Sequence, residues 1–112
     1  MDKISKLRRA ILDALEEYKS YFGQTSLDIQ PHIVADEKNH HYQFLWLGWQ
    51  DNSKIFSVPI HADIIDDKIW IQKDTTEAGF ANLLVEKGIP KSEIVLAYFP
   101  PVHRKLTEFA VN

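Results

Sequence analysis

The chain has 112 residues, of which 45% are hydrophobic, and its 13 Lys and Arg against 16 Asp and Glu give a net charge of −3. This length fits one domain over residues 1–112, and the chain contains no Cys, which excludes disulfides. The acidic balance argues against tight, direct binding to duplex DNA, because phosphate neutralisation dominates that affinity. No segment reaches the roughly 18 apolar residues that span a bilayer, and no signal peptide is evident. We therefore expect a cytoplasmic protein with no membrane partner.

The N-terminal part of the chain predicts a helix followed by an edge strand. Apolar residues recur every three or four positions over residues 3–22, and Gly23 is a natural end for such a helix. We expect its apolar stripe to pack against a sheet. Residues 27–35 predict a strand in which Pro31 lacks a backbone donor, and this confines the strand to a sheet edge or a bulge.

Residues 41–73 predict three successive strands joined by two tight turns. Residues 42–49 are apolar at nearly every position, which is typical of a central strand or one covered on both faces. Residues 54–64 alternate between apolar and polar side chains. This alternation predicts one apolar face, made up of Phe56, Val58, Ile60, Ala62 and Ile64. Residues 68–73 return as the third strand of an antiparallel meander.

The C-terminal part predicts a helix, a strand and a short helix. Asp74 and Glu77 have the spacing of a capping box, and Gly88 can end the helix that they begin. Residues 94–99 predict a strand, and residues 102–109 a short helix. The resulting order, α-β-β-β-β-α-β-α, predicts an α+β fold. In it an antiparallel sheet of four to five strands packs against the N-terminal helix and a second helix.

Few polar residues stand where chemistry could use them. His61 and Asp63 share one side of a strand, roughly 6–7 Å apart along the backbone. This spacing allows a general base and its orienting carboxylate, two metal ligands, or a hydrogen bond on a half-buried face. The adjacent His40 and His41 could suggest a metal site, but neighbours in an extended chain point to opposite faces, and no other ligands cluster with them. We therefore expect both to be exposed loop residues. The sequence has no P-loop, GxSxG, GxGxxG, HExxH or Cys-based zinc pattern. We therefore expect no catalysis, no cofactor and no metal.

A set of short motifs, taken together, resembles one known family. The motifs are His61-Ala62-Asp63-Ile64, Asp67-Lys68-Ile69-Trp70-Ile71-Gln72, Thr76-Glu77-Ala78-Gly79, Gly88-Ile89-Pro90-Lys91, Ile94-Val95-Leu96, Pro101, Arg104 and the closing Thr107-Glu108-Phe109-Ala110-Val111. The set is similar to the XisI family, the fdxN-element excision controlling factors, over nearly the whole chain. Asp66-Asp67 stands where Asp-Gly is more usual, and Phe80 stands where Ile is familiar.

The resemblance implies a small α+β accessory protein that helps to control site-specific DNA excision. Its expected partner is a XisH-like protein, a separate recombinase carries out the strand chemistry, and DNA is contacted only through partners. No catalytic residues are implied. The polar residues of the motifs are expected to form or support the interface; they are His61, Asp63, Trp70, Thr76, Glu77, Arg104 and Glu108. The acidic charge favours a basic, nucleic-acid-binding partner.

A second hypothesis is a small-ligand-binding protein or an enzyme. It requires four side chains to converge on one pocket, namely those of His61, Asp63, Glu77 and Arg104. The sequence also leaves open a symmetric homodimer, because exposed aromatic strands and a Pro-bearing edge offer surfaces for self-association.

Overall fold

Five strands form one sheet with the spatial order β1-β2-β3-β4-β5 in the computed structural model, which describes residues 2–23 and 28–112. In chain order the elements are helix α1 (Lys3–Ser20), strands β1 (Ile29–Asp36), β2 (His41–Gln50), β3 (Ser53–Ile65) and β4 (Lys68–Asp74), helix α2 (Phe80–Glu86), a 3-10 turn (Lys91–Glu93), strand β5 (Ile94–Leu96) and helix α3 (Pro101–Arg104). The predicted α+β fold and its element order are confirmed. Within the described ranges, no helix is both long and apolar enough to cross a bilayer.

The sheet is antiparallel from β1 to β4, whereas β5 runs parallel to β4. The parallel pair follows from the connection between the two strands, because α2 carries the chain back across the sheet before β5 begins. The sequence predicts an antiparallel sheet. This prediction is confirmed for β1 to β4, whereas β5 runs parallel to β4.

Helix α1 covers one side of the sheet, called here the inner face. Asp2 begins the helix, and its carboxylate accepts a hydrogen bond from the backbone N–H of Ser5 at 2.8 Å. The apolar stripe of the helix is buried against the inner face, as predicted. Its buried residues are Leu7, Ala10, Ile11, Ala14 and Leu15. The inner face contributes residues such as Tyr42, Phe44, Ile60, Ala62, Ile69 and Ile71 to the same core.

Strand β1 stands at one end of the strand order, so the predicted edge position of the Pro-bearing strand is confirmed. Pro31 lies opposite Trp46 of β2. Leu27, with which the predicted strand begins, lies outside the described residues. Strand β2 lies between β1 and β3, which confirms its expected position in the interior of the sheet.

A β-bulge in β3 overturns part of the predicted apolar face. Ile60 lies opposite Phe44, but Ser57, three residues earlier in β3, lies opposite Trp46, only two residues later in β2. The extra residue reverses the alternation, because successive side chains of a strand point to opposite faces. Ile60 is therefore buried in the core, whereas Phe56 is 67% exposed on the other side of the sheet. The prediction that Phe56 shares the face of Ile60 is wrong.

Helix α2 begins later than its sequence predicts. Asp74 does cap the segment, since its carboxylate accepts from the backbone N–H groups of Thr76 at 2.9 Å and Phe80 at 2.6 Å. Glu77 is exposed, however, and the helix starts only at Phe80. The C-terminal end is as predicted, because Gly88 adopts a φ of 94° and the N–H of Ile89 donates to the carbonyl oxygen of Leu84 at 3.1 Å.

The C-terminal segment folds back onto the sheet and does not form the helix predicted over residues 102–109. Strand β5 stops at Leu96, and α3 stops at Arg104, so both elements are shorter than predicted. The Arg104 guanidinium donates to the carbonyl oxygens of Phe99 at 3.0 Å and Ala97 at 3.4 Å. Ala110 then forms a parallel bridge with Val95 of β5. These contacts hold residues 97–110 against the β5 side of the fold.

Candidate functional site

The side of the sheet that faces away from α1, called here the outer face, carries a cluster of polar side chains on β2 and β3. His41 lies directly opposite Asp63, and Gln43 lies directly opposite His61. Residues that face each other on neighbouring antiparallel strands project to the same side of the sheet. These four residues, His41, Gln43, His61 and Asp63, are named here the outer-face cluster.

One carboxylate oxygen stands at the centre of the cluster. Asp63 Oδ1 lies 2.7 Å from His41 Nδ1 and 2.7 Å from His61 Nε2. The other ring nitrogen of His61, Nδ1, lies 3.0 Å from Gln43 Oε1. Asp63 is buried, and His41 is exposed. The cluster therefore joins β2 to β3 through side chains and opens to solvent on the His41 side.

The hydrogen bond to Asp63 raises the pKa of His41 above its ordinary value of 6.5, because the carboxylate stabilises the charged imidazolium. Partial burial opposes this shift, and the charges of Asp63 and of Asp36 support it. Asp36 belongs to the same surface, since it lies opposite His41 across the β1–β2 pair.

The raised pKa of His41 predicts a pH-dependent contribution to stability. A histidine whose pKa is raised in the folded state stabilises the fold fully at pH values below its unfolded-state pKa of 6.5. This stabilisation is lost as the pH rises through the folded-state pKa. We expect an NMR titration of the His41 ring protons, run with a chelator present, to give a pKa above 6.5 in the wild-type chain. Asp63→Asn should lower that pKa toward the ordinary value. A wild-type pKa at or below 6.5 would contradict the contact.

Two further predicted site residues meet at the β4 side of the outer face. Trp70 lies opposite Asp63 on β4, and the Arg104 guanidinium lies 5.5 Å from the centre of the Trp70 ring. The Trp70 Nε1–H is buried and has no hydrogen-bond partner among the described residues. The Arg104 guanidinium also donates hydrogen bonds to backbone carbonyl oxygens. These contacts hold α3 against Trp70.

The structure places the remaining predicted residues elsewhere. Thr76 and Glu77 line a hollow of about 310 Å³ beside the end of α1, on the inner side. Its other lining residues are Tyr18, Tyr21, Phe22, Ala78 and Leu83. Glu108 is exposed and accepts from Lys91 Nζ at 2.6 Å. Glu77 therefore does not join His61 and Asp63, as the pocket hypothesis requires.

Two members of the outer-face cluster were missed in the sequence. The sequence predicts a loop at His41, but this residue begins β2 and contacts Asp63. Gln43 carries no motif signal in the sequence, yet its Oε1 lies 3.0 Å from His61 Nδ1. The signal that finds both is the pairing of β2 with β3, which sets each of them opposite a residue of the His61–Asp63 motif.

Exposed apolar side chains occupy the end of the outer face beside the β2–β3 turn. Phe56 is 67% exposed and lies opposite Leu47, while Trp49 is 53% exposed. Lys54 Nζ lies 5.2 Å from the centre of the Trp49 ring. Leu47, Trp49 and Phe56 are named here the hairpin patch.

The likeness of the chain to known proteins extends over nearly its full length. The family model described as XisI protein matches residues 1–111. A XisI-like protein from Anabaena variabilis ATCC 29413 has a solved structure that is 31% identical, with a TM-score of 0.87 over 99% of this chain and 100% of that one. The solved fdxN element excision controlling factor XisI from Anabaena variabilis ATCC 29413 is 28% identical, with a TM-score of 0.83 over the same shares. No curated protein matches the chain. The chain belongs to the XisI family.

Proposed function

We propose that this chain is a non-catalytic accessory protein that acts with a XisH-like partner in the control of site-specific DNA excision. The observation that carries the proposal is the family match over residues 1–111, together with the likeness of the whole fold to a protein described as an excision controlling factor. A separate recombinase cuts and rejoins the DNA strands in this scheme. The chain acts in the cytoplasm and reaches DNA only through its partners.

The charge of the chain supports a protein partner. At a net charge of −3, the chain lacks the excess of Lys and Arg with which a DNA-binding protein neutralises phosphates. A partner that binds nucleic acid carries basic surface, and opposite charges across an interface speed association and favour the correct pairing. The acidic charge of the chain is therefore suited to binding a partner with a basic surface.

We assign the partner to the outer face, from the hairpin patch to the outer-face cluster. Exposed apolar patches rimmed by polar residues are typical of interaction sites, and large aromatic side chains dominate binding energy at many interfaces. Phe56 and Trp49 supply the aromatic centre, and His41 and His61 supply the polar rim. Of the residues predicted for the interface, four lie on this face, namely His61, Asp63, Trp70 and Arg104.

Co-expression with the XisH-like protein tests the proposal. We expect the two proteins to co-elute in size-exclusion chromatography at low salt, and to separate in part as salt screens the interface charges. In a mobility-shift assay, the chain alone should leave duplex DNA unshifted, whereas the pair should shift it. Separate elution of the two proteins at low salt would overturn the proposal. The elution volume of the chain alone also tests the homodimer that the β1 edge allows.

A further inference from the structure

We propose that His41, His61 and Asp63 bind one divalent transition-metal ion of the zinc class on the outer face. Their ligand atoms, two imidazole nitrogens and a carboxylate oxygen, all lie within 4.8 Å of one another. Zinc is held tetrahedrally by His nitrogen and carboxylate oxygen at about 2.0–2.2 Å, so the ligand atoms of one ion stand roughly 3.3–3.6 Å apart. To bind one ion, the two rings must rotate so that both nitrogen–oxygen distances widen from 2.7 Å and the nitrogen–nitrogen distance, which lies within 4.8 Å, reaches the same spacing.

The hydrogen bonds around His61 orient it as a ligand. A neutral imidazole carries one N–H and one lone pair. When Nδ1–H donates to Gln43 Oε1, 3.0 Å away, the lone pair of Nε2 faces Asp63 Oδ1 at 2.7 Å. Two lone pairs at this distance repel each other, and a cation between them converts the repulsion into coordination. Gln43 then acts as the outer partner that metal-binding histidines use to fix the ring and its tautomer.

The cluster also supplies the charge and the rigidity that a metal site needs. Asp63 is a buried carboxylate, and burial of a negative charge is costly unless it is paired. Its two histidine neighbours come from β2 and β3, which pair in register from His41–Asp63 to Phe44–Ile60. The backbone therefore holds the three ligands in place before the ion arrives.

The ligand types determine which metal ions fit. Two imidazoles and one carboxylate suit Zn²⁺, Co²⁺ or Ni²⁺, whereas Ca²⁺ and Mg²⁺ favour sites made of oxygen atoms. Three protein ligands leave at least one coordination position open, and the His41 side chain is 54% exposed, so this position faces solvent. Water or a side chain of a bound partner can complete the coordination. The site rests on the geometry of this chain alone and is independent of the partner's identity.

Calorimetric titration of the chelator-treated chain with Zn²⁺ tests the proposal. We expect one ion to bind per chain, and Mg²⁺ in excess to leave the binding unchanged. His41→Ala should weaken Zn²⁺ binding by about tenfold or more, because it removes a ligand and not merely a residue that orients one. His41 is exposed, so this variant keeps the core intact. His32→Ala is the matched control, since His32 is an exposed histidine of β1 outside the cluster, and it should bind Zn²⁺ like the wild type.

Two readouts besides affinity separate this site from scattered surface histidines. Zn²⁺ should raise the Tm of the wild-type chain and of His32→Ala, but not that of His41→Ala, because only binding to the folded state stabilises it. In NMR spectra, Zn²⁺ should shift the ring signals of His41 and His61 while those of His32 stay in place. Absence of saturable binding, or equal binding by the wild type and His41→Ala, would overturn the proposal.

Discussion

Replacing Phe44 with Ala is expected to lower the free energy of unfolding by about 3–5 kcal/mol, the range typical of a buried Phe. Phe44 has 0% exposure and lies between α1 and the sheet. Its ring centre is 4.9 Å from that of Tyr18 and 5.5 Å from that of Trp46, in edge-to-face arrangements. The substitution removes these contacts and leaves a cavity at the centre of the core. Urea-induced unfolding measures the loss.

Phe56→Ala is the matched control, since it makes the same chemical change on the opposite face of the sheet. Phe56 is 67% exposed, and substitutions at such surface positions usually change the free energy of unfolding by no more than about 0.5 kcal/mol. A loss at Phe56 equal to the loss at Phe44 would show that both rings lie in the core. That result would contradict the bulge in β3.

Gly48→Ala should destabilise the chain by about 3 kcal/mol, at the upper end of the range for overpacking. A Cβ at Gly48 would stand 1.9 Å from the carbonyl oxygen of Asp28 and 2.7 Å from the Cα of Ile29. Both are backbone atoms at the start of β1, so no side-chain rotation relieves the clash. The start of β1 must move away, and the hydrogen bond from Trp49 N–H to Asp28 O, 2.9 Å long, is lost with it.

Gly23→Ala provides the comparison for Gly48→Ala in the same urea experiment. Among the described residues, a Cβ at Gly23 meets no atom within 4 Å, whereas its left-handed φ of 59° opposes a side chain. That conformation costs about 1 kcal/mol for an L-residue. If the two variants lose equal stability, the close approach of β1 to Gly48 is contradicted.

The sequence predicts the parts of this fold whose signals are local. The apolar stripe of α1 repeats at helical spacing. Pro31 confines its strand to an edge of the sheet, whichever strand it pairs with. The end of α2 depends on Gly88 and on the hydrogen bond from the N–H of Ile89 to the carbonyl oxygen of Leu84. In each case, a few consecutive residues contain the physical cause, so the sequence is sufficient.

The outer-face cluster depends on a non-local feature that periodicity does not reveal. The β2–β3 turn pairs Gln50 with Ser53, and counting back from that pair sets His41 opposite Ala62. The extra residue of the bulge moves the register by one, so that His41 meets Asp63. The same shift moves Phe56 to the outer face. One bulge therefore explains both the exposure of Phe56 on the outer face and the position of His41 opposite Asp63.

The length of the C-terminal helix also depends on contacts that are distant in the sequence. Residues 102–109 have helical character, but α3 ends at Arg104 because tertiary contacts decide its length. Arg104 lies over Trp70 and donates to carbonyl oxygens of residues 97 and 99, and Ala110 joins the sheet beside β5. Local propensity is overridden where a segment has such distant partners.

The two faces of the sheet have different roles. The inner face binds α1 and α2 and forms the core, while the outer face leaves aromatic and histidine side chains open to solvent. Exposed aromatic side chains rimmed by polar residues are typical of an interaction surface. The accessory role proposed for the chain requires such a surface.

The affinity of the proposed XisH-like partner for outer-face variants tests the central claim most directly. Isothermal titration would compare the wild type with the double variant Trp49→Ala/Phe56→Ala, and with Tyr21→Ala, an exposed aromatic residue on the inner side. We predict that the double variant binds at least about tenfold more weakly, as expected for loss of an aromatic hot spot, while Tyr21→Ala binds like the wild type. Unchanged affinity of the double variant would contradict the assignment of the partner to the outer face.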